Sequence, residues 1–423
     1  MNWNRLFAQR TARMRSSSIR ELLKVASQPD MISFAGGLPD PELFPVAETR
    51  EAAERVLGRA PASALQYSET EGIPALREWL AARFSRPHFR LERENVLITS
   101  GSQQALDLIG RVFLDPGDRV LVENPTYLAM LSAWRLPGGA FTAMPADKDG
   151  LRADALEAPT RAGVKLVYAV PDFQNPQGTT LSEERRRRLA ALIRAADRPL
   201  VEDTPYRELR YDGSRLPSVF ELDARTGPQG RLDARVLQLG TFSKVLVPGL
   251  RVGWVIAESP VIEKLALAKQ AADLHTSTFC QYLALELVRA GVLERQLPRL
   301  RTAYRGKRDA MLQALADVFP AGVEWTRPAG GMFLMVTLPE DLDARALLPA
   351  ALEHKVAFVP GEDFHLDGRG RNTMRLNFSR PSRDQIPEGV RRLGAVVADA
   401  RAQNRGRLDP ADDRAFHATC GLP

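Results

Sequence analysis

From about residue 95 the chain alternates short apolar runs with longer amphipathic stretches. NVLI at 95–98, RVLV at 119–122, VKLVYAV at 164–170, PLVE at 199–202, RVLQL at 235–239 and VGWVIA at 252–257 are near-continuous apolar runs, so each predicts a strand covered on both faces. Between them, 103–114, 126–135 and 182–196 carry helical spacing. This alternation predicts an α/β fold with a mostly parallel sheet covered by helices. Further on, the pattern predicts one long helix over 258–290 and two or three helices within 291–318. After Pro328-Ala329-Gly330-Gly331, MFLMVTL at 332–338, VAFV at 356–359 and TMRLNF at 373–378 predict a smaller α+β unit. Before residue 95, 16–27 reads as a short helix capped by Ser16 to Ser18, 31–45 as a Gly- and Pro-rich loop, and 74–85 as an amphipathic helix. The expected organisation is an arm at 1–60 that joins the small domain, a large domain at 61–295, a small domain at 296–400 and a polar, irregular tail at 401–423.

Composition narrows the chemistry. The 423 residues are 44% hydrophobic, enough for a large core in more than one domain. The net charge is +6, but the arginines are scattered among Asp and Glu, which argues for a solvated surface and against nucleic-acid binding. Two cysteines, Cys280 and Cys420, and five dispersed histidines suggest neither a disulfide framework nor a metal site. No run approaches the 18 apolar residues of a membrane span. The first 20 residues are rich in Arg and Ser and hold no acid, as in an organelle transit peptide; an N-terminal arm of the folded domain is the competing reading. Without an apolar h-region, a cytoplasmic location is expected.

The candidate chemistry lies at the strand ends. Only eight lysines occur, and Lys244 follows the 235–239 run within Gly240-Thr241-Phe242-Ser243-Lys244, with Arg251 seven residues on. Thr241 and Ser243 can donate to phosphate oxygens and Arg251 can grip them bidentately, while the amine can form an imine with an aldehyde. TSGSQQ at 99–104 opens a helix after a strand, which places backbone amides for an anion. Tyr127 after Glu123-Asn124-Pro125-Thr126 can stack on a flat ring, Asn175 in PDFQNPQG can reach a ring oxygen, and Asp203 and Tyr206 in VEDTPY can face a pyridinium nitrogen and a phenolic oxygen. Taken singly, each is an ordinary turn, N-cap or half-buried tyrosine. Five of them at successive strand ends assemble one site.

Together these strings resemble the fold type I pyridoxal-phosphate-dependent aminotransferases, in the branch of 2-aminoadipate, kynurenine and aromatic aminotransferases. ISFAGGLPDPELFP, YSETEGIPALRE, ITSGSQQALDL, YAVPDFQNPQGTTLS, VEDTPYREL, GTFSKVLVPGLRVGW and MRLNFS carry the resemblance, which spans about residues 16–400. It implies that Lys244 holds pyridoxal 5'-phosphate as a Schiff base and shuttles the substrate proton. It implies that Asp203 pairs with the ring nitrogen and that Asn175 and Tyr206 hold the phenolic oxygen. Ser102 and Gln103 amides, Thr241 or Ser243, and Arg251 hold the phosphate, and Tyr127 stacks on the ring. Arg375 clamps the substrate α-carboxylate, and Arg20 and the Gly36–Gly37 loop close over the side chain. Tyr67 reaches the neighbouring subunit's phosphate, which requires a homodimer. If Arg20 belongs to the site, the N-terminal segment is an arm and not a transit peptide.

The expected reaction moves an amino group between an amino acid of 2-aminoadipate, aromatic or branched-chain type and a 2-oxo acid such as 2-oxoglutarate, by a ping-pong route. Two other readings stand beside it: elimination, cyclisation or decarboxylation on the same cofactor, and a non-enzymatic sensor of the kind fused to a DNA-binding winged helix. Only about 15 residues precede the matching region, which argues against the sensor. Gln177 stands where Thr or Ala is more usual after Asn-Pro, and this departure is expected to be tolerated.

Overall fold

The computed structural model describes residues 1–14, 22, 28, 30–156 and 163–408. Arg20 and most of the helix expected over 16–27 lie outside the described residues.

A seven-stranded sheet holds β1 (Val96–Thr99), β2 (Arg119–Val122), β3 (Ala140–Ala143), β4 (Val164–Ala169), β5 (Leu200–Asp203), β6 (Val236–Thr241) and β7 (Gly253–Ile256). Their order across the sheet is β1-β7-β6-β5-β4-β2-β3. All run parallel except β7, which lies antiparallel to both its neighbours. Every residue of β1, β5, β6 and β7 is buried, as their unbroken apolar runs require. Each fully buried Val, Leu or Ile there contributes about 1.5–3 kcal/mol relative to exposure.

Helices α1 (Pro74–Phe84), α2 (Ser102–Phe113), α3 (Leu128–Arg135) and α4 (Glu183–Ala196) fall where the helical spacing put them. Ser182 starts α4 by accepting the Arg185 amide at 3.2 Å. One face of the sheet packs Leu106, Ile109 and Trp134 against Val120 and Val255. The other packs Leu189, Ile193 and Phe220 against Val167 and Leu200.

Three expectations are corrected. The helix expected over 258–290 is two, α5 (Ser259–Asp273) and α6 (Thr278–Arg289), because Leu274 turns to φ +63° and Ser277 caps a fresh start. The two or three helices expected within 291–318 are one, α7 (Val292–Val318), with Pro298 inside it. An internal proline costs about 3 kcal/mol, and the buried row Leu293, Leu297, Leu300, Tyr304, Met311 and Leu315 offsets it. The tail is not irregular from 401: α8 (Gln385–Leu408) runs through 408, and 409–423 lie outside the described residues.

A second sheet holds β8 (Glu324–Trp325), β9 (Phe333–Thr337), β10 (Val359–Pro360) and β11 (Thr373–Asn377), antiparallel in the order β8-β9-β11-β10. The 31–45 loop is tied to it by the Asn377 backbone amide, which donates to Phe34 O at 2.8 Å, while Ile32–Ser33 forms a separate two-stranded parallel sheet with Val356–Ala357. The carboxyl ends of β1, β2, β4, β5 and β6 thus share one edge of the large sheet. Because β7 runs backwards, its first residue sits on that edge as well, with Gly253 between Thr99 and Thr241.

Candidate active site

The register Thr99–Gly253–Thr241 brings three separated turns into one cup. A Cβ on Gly253 would lie 2.8–2.9 Å from Gly101, closer than any real side chain allows, so only glycine permits the approach. Gly101 itself, at φ +78°, precedes α2 and faces the Arg251 guanidinium. Arg251 donates to Ser243 Oγ and to Ser100 O, each at 3.3 Å. Thr241 Oγ1 donates to Ser243 Oγ at 2.9 Å. Ser102 Oγ is buried at the head of α2 with no hydrogen-bond partner among the described residues. Free amides at a helix N-terminus, a guanidinium and three hydroxyls form an anion cradle. The Gln103 side chain points away, toward Ala129 O at 3.4 Å, which leaves only its backbone for the cup.

Asp203 ends β5 and is 2% exposed. Tyr168 from β4 donates to its Oδ2 at 2.9 Å, while Oδ1 has no partner among the described residues. Burial pushes its carboxyl up to about 6, and the Tyr168 hydroxyl opposes that rise. Tyr127 lies close enough for the Asp203 charge to add to burial in raising its phenol to about 12. Tyr206 is buried, hydrogen-bonded to Asn175 and edge-on to Phe333 at 5.7 Å.

Lys244 follows β6 and donates from Nζ to Gly37 O at 2.8 Å. Burial first, then the charges of Arg251 and Arg375, lower its ammonium to about 8. Gly37 leaves room for Phe333, whose ring would lie 2.8 Å from an added Cβ. Arg375, at the centre of β11, lies between the rings of Phe333 and Phe364, 4.4 and 5.0 Å from their centroids. It donates to Asn175 Oδ1 at 2.8 Å and Ala35 O at 2.6 Å, and its Nε has no partner among the described residues. No described carboxylate pairs with this 3%-exposed cation, and burial lowers its guanidinium to about 10.

Of the residues singled out in the sequence, the structure therefore brings Ser102, Tyr127, Asn175, Asp203, Tyr206, Thr241, Ser243, Lys244, Arg251, Arg375 and Gly37 together at one edge of the large sheet, through hydrogen bonds, register and charge proximity. Tyr67 is not among them: it is 77% exposed and edge-on to His275 at 5.7 Å. Arg20 lies outside the described residues. Tyr168, Phe333 and Phe364 were not singled out. Tyr168 looks like one more apolar-strand residue, and only the polar tip of a tyrosine in such a run hints at a buried partner.

A flat ring with a phosphate and a ring N–H fits the residues present. Among the described residues Asp203 Oδ1 lacks a donor and Ser102 Oγ lacks a partner, and the glycine cradle faces Arg251. The family model for aminotransferase class I and II matches residues 29–393. The aromatic-amino-acid aminotransferase 1 of Thermococcus litoralis is 44% identical, over 94% of this chain and 95% of its own. The 2-aminoadipate transaminase of Thermus thermophilus is 47% identical, over 94% of this chain and 98% of its own. Among solved structures, the α-aminoadipate aminotransferase of Thermus thermophilus complexed with N-(5'-phosphopyridoxyl)-L-leucine superposes with a TM-score of 0.87 at 44% identity, over 95% of this chain and all of that one. The fold is that of the fold type I transferases, and the chain belongs to the class I and II aminotransferases, enzymes that move amino groups with pyridoxal 5'-phosphate.

Proposed function

We propose that the enzyme transfers the amino group of an L-amino acid with an aromatic, branched-chain or 2-aminoadipate side chain to 2-oxoglutarate, in a ping-pong cycle. Arg375 carries this reading. A buried guanidinium with no acid partner among the described residues, near enough to the Lys244 amine for its charge to act on it, calls for an anionic group on the substrate, and an α-carboxylate supplies it. The side-chain classes follow the names of the relatives: one acts on aromatic amino acids, one on 2-aminoadipate, and one structure holds a leucine adduct.

Bound pyridoxal phosphate supplies an aldehyde carbon that takes up the amino group and a protonated ring that withdraws electrons. Ser102, the Gln103 amide, Thr241, Ser243 and Arg251 would hold its phosphate, Tyr127 its ring face, and Asn175 and Tyr206 its phenolic oxygen. Asp203 keeps a negative charge opposite the ring nitrogen through its unpartnered Oδ1. Lys244 Nζ anchors the cofactor between turnovers. With the cofactor bound, the free Lys244 amine would serve as the base that takes the proton from the substrate α-carbon and as the acid that returns it. Arg375 fixes the α-carboxylate and so aims the Cα–H bond at Lys244. Arg20 and the Gly36–Gly37 loop sort acidic from apolar side chains. Tyr67 and its exposed neighbour Leu65 support a homodimer, in which Tyr67 reaches the phosphate of the second copy.

A panel of L-amino acids incubated with 2-oxoglutarate, with glutamate and the new oxo acid quantified, tests this reading. Turnover of at least one aromatic, branched-chain or 2-aminoadipate substrate, absent in Lys244→Ala, is expected. Activity retained in Lys244→Ala, or an oxo acid from none of the three classes, refutes it.

A further inference from the structure

Behind the phosphate cup lies an ionic cluster that the reaction does not use, its ammonium buried and its carboxylate partly exposed. Lys269, on α5, is 0% exposed. Its Nζ donates to Gln104 Oε1 at 2.7 Å, to Asp273 Oδ1 at 2.8 Å and to Thr276 Oγ1 at 3.1 Å, so all three ammonium hydrogens have partners. Gln104 Oε1 also accepts the Ser100 amide at 2.7 Å, and Gln104 Nε2 donates to Asp273 Oδ2 at 2.6 Å. Ser100 Oγ reaches both Asp273 Oδ2 and Thr276 Oγ1 at 3.2 Å. Ser100 O then accepts Arg251 Nη2. The amide, hydroxyl and carbonyl of Ser100 are each claimed, and Ser100 immediately precedes Gly101 and Ser102 of the cup.

The cluster is poorly placed for stability alone. Asp273 is the last residue of α5, where the helix dipole disfavours a carboxylate, and the Lys-before-Asp order is the weaker arrangement of an i, i+4 pair. The next residue, Leu274, sits at φ +63°, ψ −59°, a strained turn for a branched side chain. Both costs place the Asp273 carboxylate and the Thr276 hydroxyl against Ser100.

We propose that Lys269 and Asp273 are positioning residues that lock the Ser100–Gly101–Ser102 turn, and through Ser100 O the Arg251 guanidinium, in the form that grips the cofactor phosphate. The inference rests on the assignment of that cup to the phosphate. Lys269→Met keeps the length of the chain and removes the charge. Ser100→Ala removes only the hydroxyl contacts and leaves the Lys269–Asp273 pair intact. The affinity of each variant, stripped of cofactor, is measured for pyridoxal 5'-phosphate and for unphosphorylated pyridoxal by absorbance titration. Arg251→Ala serves as the reference. Affinity for the phosphorylated form falls about tenfold or more in Lys269→Met and about threefold in Ser100→Ala, with pyridoxal affinity unchanged. A role in stability alone would weaken both ligands together or neither, and either result in both variants overturns the proposal. If Lys269→Met does not fold, Ser100→Ala decides. If Arg251→Ala also fails to distinguish the two ligands, the phosphate assignment itself falls; if it does distinguish them and the other variants do not, only the positioning role falls.

Discussion

Asp203→Asn separates what the buried carboxylate costs the fold from what it contributes to the reaction. Asp203 is 2% exposed, has one hydroxyl donor and lies well above its ordinary 3.8, at about 6. An acid whose folded pKa exceeds its unfolded value binds more protons when folded, so stability falls as pH rises between the two values. The window runs from 3.8 to about 6. A shift of two units corresponds to roughly 3 kcal/mol lost by pH 7, at about 1.4 kcal/mol per pH unit inside the window. Asparagine keeps the acceptor for Tyr168 and cannot ionise. Its amide adds a fixed cost of about 1–3 kcal/mol if left without a partner, and that term does not depend on pH. The assay is the denaturant midpoint of the two cofactor-free proteins at several pH values from 4 to 8. The variant gains on the wild type from pH 4 to about 6, and the difference is flat above. A difference that does not change with pH would refute the claim that Asp203 is held desolvated and charged. Turnover moves the other way, falling roughly 100-fold or more while cofactor affinity changes far less.

Arg375→Lys keeps the positive charge but loses the planar fork between Phe333 and Phe364, and kcat/KM for every amino acid falls by about 100-fold; a drop of less than threefold in steady-state kinetics would count against the carboxylate clamp. Lys244 is protonated below about 8 and neutral above it, so the rate of cofactor loading into the stripped protein rises with pH and levels off past that value, as followed by absorbance in a stopped flow.

The large sheet was legible because its strands are buried on both faces, and an unbroken apolar run such as Val96–Ile98, too short for a buried helix, fits little besides a covered strand. Its chemistry was legible because parallel strands deliver their last residues to one edge, so Asp203, Lys244 and Asn175 could be placed together from their positions after strands. What stayed hidden depends on contacts across the chain. Lys269 sits in an ordinary amphipathic helix, and nothing near it in sequence announces Gln104 or Ser100. Pro298 reads as a helix end, and only the packing of α7 overrides it. The break at Leu274 has no glycine to mark it. The reversed direction of β7 is equally silent, since an apolar run carries no polarity along the chain.

That reversed strand has a kinetic consequence. β7 is the last strand of the large sheet in sequence, yet it slots between the first, β1, and β6. The cup exists only after this long-range closure, the entropically expensive kind that slow-folding topologies leave late. The ligand that fills the cup therefore meets nothing to hold in the unfolded or half-folded chain. It acts as a latch on the finished protein, slowing the escape of β7 and leaving the rate of folding unchanged.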